Sequence, residues 1–217
     1  PEELKLVFVS EQVKSPSSMM GHTFFKLEGK GEDGSLRQNA VSFFTVIDTF
    51  NIPYLIVKST ITGMKGFFIL SPYQKQIKRY LEDEDRNVWE YNLNLTDFQK
   101  KMIYYHFWEL KDIDITYLFA GFNCATIVDD MLGITNKDYK NTSEPWITPK
   151  DVIKKANSHK LLRASVLLPS TSWELSMLSE NLPKQKVSDI KYLIDEKNFE
   201  AIKNYSFSED MTENELE

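Results

Sequence analysis

The chain has 217 residues, 41% of them hydrophobic and 13% aromatic, which is enough apolar side chain to bury a core. The formal net charge is −6, but Glu209, Asp210, Glu213, Glu215 and Glu217 supply five negative charges at one end, so the body is near neutral and lacks the basic stripe a nucleic-acid binder needs. A single cysteine excludes an internal disulfide and any metal site built on cysteine pairs, and no apolar run approaches the length that spans a bilayer.

A first residue of Pro rather than Met leads us to expect a processed or excised chain, with an upstream targeting segment removed. Glu3–Val9 alternates and is β-branched, as a strand does. After the polar Ser15-Pro16-Ser17-Ser18, Thr23–Leu27 reads as a second strand. The Gly-rich stretch 29–34 then closes a hairpin that returns through Asn39–Val46. Asn51–Leu70 is apolar but broken by Pro53, Gly63 and Gly66, and its pattern assigns no element. Tyr73–Leu81 reads as helix and Val88–Leu93 as strand. Thr96 is placed to cap a helix through Leu110, with Phe98, Met102, Tyr105 and Leu110 near one face. Asn123 is placed to cap another, from Cys124 to about Leu132, which Gly133 would stop. Thr148-Pro149 is the cap and first residue of a third helix, and Val166–Leu168 is a further strand candidate. The whole reads as α+β, an antiparallel sheet with helices packed on it. One domain is expected over 1–165, a helical appendage over 166–207 and a disordered acidic tail over 208–217.

Cys124 is the first residue to weigh for chemistry. The thiolate is the reactive form of cysteine, and a helix N-terminus favours it. The amides there could also hold a developing oxyanion. On position alone a buried structural thiol is the better reading, because free cysteine is among the most buried residue types. Of the three histidines, His106 lies mid-helix and reads as a satisfied core or boundary residue, and His159 in a polar helix end reads as solvated. His22 lies at a strand start behind Gly21 and a Ser-rich loop, which makes it the base candidate if Cys124 is a nucleophile. A third polar group commonly orients such an imidazole. Centring the hairpin turn near residues 32–33 places Phe43 opposite His22, with Ser42 and Asn39 as the nearby polar candidates.

The segments SPSSMMGHTFFKLEG (15–29), NAVSFF (39–44), PYQKQIKRYLEDEDRNVWEYNLNLT (72–96), HFWEL (106–110), YLFAGFNCATIVDDML (117–132) and WITPKDV (146–152) together resemble the Lnb-type N-terminal periplasmic domain family, over roughly residues 4–155. That family is similar to permuted papain-like relatives of NlpC-type peptidases and lecithin–retinol acyltransferases, in which His precedes Cys. The resemblance therefore implies that fold, Cys124 as nucleophile and His22 as base. It puts Ser17, Ser18 and Gly21 in the loop before the histidine, next to Met20, and matches Tyr117 and Asn123 to the residues leading to the cysteine. The family often carries an Arg a few positions after the cysteine. Here Ile127, Val128, Asp129 and Asp130 stand in that stretch, and no Arg role is carried over.

What the resemblance implies is an exported envelope enzyme, periplasmic, with any membrane attachment supplied by a segment outside this chain. It would move a fatty acyl group from a phospholipid through a Cys124 thioester to the N-terminal amine of a lipoprotein, at the membrane surface and without a cofactor. The same two residues would serve a hydrolase (peptidase, amidase or lipase) if water were the acceptor. A non-catalytic binding module on the same fold is the third reading. For contact with lipid, Phe67, Phe68 and Leu70 are the first candidates for an apolar rim, and Met19 and Met20 the second.

Overall fold

The strand β1 (Glu3–Val9) buries both of its faces, Leu4 and Leu6 on one side and Val7 and Val9 on the other. A strand covered on both sides belongs in the middle of a layered fold, and β1 lies inside a seven-stranded sheet. In the computed structural model, residues 2–12, 20–46, 51–111, 113–119, 121–140 and 146–195 are described. The further strands are β2 (His22–Lys30), β3 (Leu36–Thr45), β4 (Met64–Pro72), β5 (Val88–Leu93), β6 (Thr116–Tyr117) and β7 (Leu162–Leu168). Their order is β6-β4-β3-β2-β1-β5-β7, and every pairing is antiparallel.

Helices cover both faces. On the first, α3 (Asp97–Leu110), α4 (Cys124–Thr135) and α6 (Pro149–Ser158) close over Leu4, Leu6, Phe25, Leu27, Val41 and Phe43 through residues such as Ile103, Met131 and Val152. On the second, α2 (Tyr73–Lys78) and the π-turn Arg79–Asp83 that continues it bury Tyr73, Ile77 and Tyr80 against Val7, Val9, Phe24 and Ala40. The second face also carries a charge cluster. Lys26 Nζ donates to Glu90 Oε1 (3.0 Å) and pairs with Glu28 (2.8 Å), and the Tyr73 hydroxyl donates to Glu90 Oε1 (2.5 Å). Short helices α1 (Ile52–Val57), followed by the π-turn Lys58–Thr62, and α5 (Lys137–Lys140) complete this part of the chain.

The capped helices start where their caps place them. Thr96, Asn123 and Thr148 each close a capping box with the residue three positions on. Two expectations are corrected, and one open stretch is filled. Helix α4 runs on through Gly133, which is buried inside it, to Thr135; helical hydrogen bonding and packing outweigh a glycine's modest penalty there. The core face of α3 is Lys100, Ile103, Tyr104, Phe107 and Leu110, one step round the helix from the expected stripe, so Phe98 and Tyr105 face solvent. The stretch without an assigned element supplies α1, a π-turn and β4.

The chain divides into two compact units, 1–169 and 170–217. Strand β7 extends the sheet to Leu168, past the expected boundary at 165, because its pairing with β5 runs from Leu93↔Leu162 to Val88↔Leu168. In the second unit, α7 (Thr171–Glu180) is capped by the Ser170 hydroxyl and buries none of its residues; α8 (Lys184–Asp195) follows. The expected tail, 208–217, lies outside the described residues.

Candidate active site

Asn123 begins α4 with extended backbone, and its Oδ1 accepts from the amides of Ala125 (2.8 Å) and Thr126 (3.2 Å). Its Nδ2 donates to the Phe119 carbonyl (3.0 Å), which ties the cap to the loop before it. Cys124 is thereby fixed as the first helical residue, and the backbone amides of Thr23, Ala125 and Cys124 itself face its sulfur. These donors favour a thiolate, but burial weighs more and pushes the thiol up to about 11. The Tyr117 hydroxyl lies beside the same residue, facing the Cys124 amide. Burial, and then the thiolate charge nearby, raise its pKa, so it stays a phenol and a hydrogen-bond donor.

The Thr23 amide is free to reach the sulfur because of how the sheet ends. The ladder between β2 and β3 stops at Phe25↔Val41. Beyond it, β2 stays paired with β1 as far as Val9↔His22, and β3 stays paired with β4 as far as Thr45↔Gly66. The two strands therefore part, and a cavity of about 660 Å³ lies at the fork. Gly21, at φ +82, makes the turn into β2; a Cβ there would stand 2.8 Å from the Val9 carbonyl oxygen, so only glycine fits.

His22 points to the second face of the sheet, away from the side that α4 covers. Its ring stacks on Phe44 (centroids 4.5 Å apart) and lies beside Phe24 and Tyr80. In these apolar surroundings burial, with a smaller push from Arg86, lowers its pKa to about 3 and keeps the imidazole neutral. Its Nε2 is buried without a hydrogen-bond partner, so that nitrogen makes no bond to the thiol in the resting arrangement. Cys124 from one face and His22 from the other meet only through the fork, where both line the cavity.

Met20, Gly21, Tyr117 and Asn123 line it too. Ser42 and Asn39 are not among its lining residues. The expected register is off by one. Continuing the observed pairs puts Phe44, not Phe43, opposite His22, and Ser42 instead takes a hydrogen bond from Gln76 Nε2 (3.0 Å). Asn39 pairs with Leu27, well along the strand. Ser17, Ser18 and Met19 lie outside the described residues. Of the apolar rim candidates, Phe67 and Phe68 reach the cavity and Leu70 does not. His106 is half-exposed and bonded to Glu109 (2.8 Å). His159, expected to be solvated, is half-buried as the C-cap of α6, with Nδ1 on the Lys155 carbonyl (2.9 Å) and its ring against Tyr139. Asp129 binds the Tyr139 hydroxyl (2.6 Å) and Lys155 (2.9 Å), holding α4 to α5 and α6.

Arg86 is the site residue that sequence reasoning missed. It follows Asp85, whose φ of 51 marks a tight left-handed turn, and it is 3% exposed. It lines the cavity and acts electrostatically on both His22 and Cys124. The one local signal is an arginine in a short polar link directly before a strand, and such links commonly end in solvent. Among the described residues no group of three or more His, Cys, Asp or Glu side chains is placed to hold a metal ion.

One family model, described as the Lnb N-terminal periplasmic domain, matches residues 1–158. No curated protein and no solved structure matches the chain.

Proposed function

This chain belongs to the Lnb N-terminal periplasmic domain family and is a periplasmic domain of the cell envelope; on that premise we propose that it is a thiol acyltransferase acting through Cys124. The observation that carries the reading is the convergence of three backbone amides on a lone thiol at the first position of a helix, inside a cavity that also holds a neutral imidazole. Amides preset around a sulfur stabilise negative charge there and on an oxyanion formed beside it. The permuted papain-like arrangement, histidine strand before cysteine helix, is part of the same proposal.

In this reading Cys124 gives its proton to His22 as the sulfur attacks the ester carbonyl of a phospholipid. The C–O bond breaks, the leaving alcohol takes that proton, and a thioester remains. The N-terminal amine of a lipoprotein then attacks the thioester, the C–S bond breaks, and an amide forms as the thiol regains its proton. His22 must turn toward the thiol for this, and catalytic hydrogen bonds that are long in a free enzyme often tighten only with substrate bound. The Tyr117 hydroxyl, beside Cys124 and held as a phenol, is the side-chain donor we assign to the oxyanion.

Intact-mass spectrometry after incubation with phospholipid tests the proposal. An acyl adduct on Cys124 is expected, absent from Cys124→Ala and discharged by an amine. Lysolipid and free fatty acid without amine transfer would assign the hydrolase chemistry instead. No adduct and no lysolipid would sink both.

A further inference from the structure

Among the described residues two buried side-chain polar atoms have no hydrogen-bond partner, His22 Nε2 and Arg86 Nη2, and both residues line the same cavity. Buried polar groups are nearly always paired, so two orphans at one place point to a polar ligand that completes them. The arginine is the more informative. Its Nε donates to the Ser10 carbonyl (2.7 Å), its Nη1 to Glu84 Oε2 (2.8 Å), and its plane lies over the Tyr80 ring at 5.3 Å. Three contacts fix the guanidinium and leave one nitrogen over. Glu84 does not cancel the charge, because it is shared with Arg79 (3.0 Å), which also lines the cavity; the other carboxylate that Arg86 feels, Glu11, is paired with Lys150.

We infer that Arg86 Nη2 is the anchor for an anionic oxygen of the substrate, and that the ligand is an anionic amphiphile carrying a phosphodiester next to an apolar chain. The charge argument gives the anion, since a fixed, spare guanidinium donor favours phosphate or carboxylate over a neutral group. The chain follows from the walls: Phe43, Phe44, Phe67, Phe68 and Phe119 make most of the lining apolar. Arg86 is thus a specificity-determining residue, selecting donors by headgroup charge, while Cys124 acts on the acyl carbonyl. The inference rests on the cavity being the substrate site of the proposed reaction.

Calorimetric titration of the 217-residue chain carrying Cys124→Ala, which blocks turnover, tests it with three probes: dihexanoylphosphatidylglycerol, dihexanoylglycerol and inorganic phosphate. The phosphodiester lipid is expected to bind at least tenfold tighter than the neutral lipid and than phosphate. Adding Arg86→Gln should bring the two lipids to within twofold of each other, and Arg86→Lys should retain part of the difference. Equal binding of the two lipids by the parent overturns the inference whether or not Arg86→Gln folds. So does a preference that survives Arg86→Gln. Phosphate binding as tight as the lipid would overturn the amphiphile assignment. A protein that selects the phosphodiester through Arg86 but never forms a thioester would fail the catalytic proposal alone, and one that forms the thioester without that preference would fail this inference alone.

Discussion

The thiol of Cys124, pushed up to about 11, and the imidazole of His22, lowered to about 3, are both neutral across the physiological range. An ion pair of the kind that makes a cysteine reactive at rest is therefore absent, and activation must come with substrate. Alkylation of Cys124 by iodoacetamide, followed by mass spectrometry, is expected to be slow at pH 7 and to rise steadily toward pH 10. A plateau reached by pH 6 would mean a thiolate–imidazolium pair and contradict this picture. His22 also couples folding to acid. Its folded pKa lies below its unfolded value, so its contribution to stability is complete above about 6.5 and is lost as pH falls toward 3. Between pH 7 and pH 5 wild type should lose about 2 kcal/mol more stability than His22→Gln, from urea melts of both. Neither shift is legible in the sequence, because each is caused by what surrounds the residue: Phe24, Phe44 and Tyr80 for the imidazole, three amides against heavy burial for the sulfur.

Elements were readable where their signals are local. Thr96, Asn123 and Thr148 place helix starts because a cap bonds to amides only two or three residues away. The hairpin was readable but not its register, since a turn spread over several Gly, Glu and Asp residues can centre on more than one position, and a single step changes which residue faces His22. Arg86 was hidden for the same reason at longer range, as its carbonyl partner is 76 positions away. Two measurements probe the elements themselves. Asn123→Ala should lower stability by about 1–2 kcal/mol in a thermal melt, through loss of the cap and of the bond to Phe119; unchanged melting would mean that the α4 start is held by packing alone. Glu90→Leu leaves the buried Lys26 ammonium, 5% exposed, with Glu28 and the face of the Tyr73 ring as its partners. It should cost about 3 kcal/mol, much of which Lys26→Met in the same chain should restore. A double variant no better than the single would show that the cluster is held by more than this pair.

At the scale of the whole molecule, the sheet, both helical layers and the cavity all belong to unit 1–169, and α7 buries none of its residues. A chain ending at residue 169 should therefore melt within about 2 °C of the full chain, which a shift of 1 kcal/mol would exceed in a domain this size. A larger drop would show that the second unit supports the first. Among the described residues no helix is long and apolar enough to cross a membrane. The fork between β2 and β3 has a consequence for how such a sequence can drift. It maintains two unmatched polar atoms in an apolar setting, and each lowers the stability of the folded chain by about 1–3 kcal/mol. Evolution toward heat resistance without selection for activity should therefore find position 22 early, with Leu or Phe replacing the histidine among its aromatic neighbours. The residues most readily improved for endurance would be those that cannot change if the chain is to keep its work.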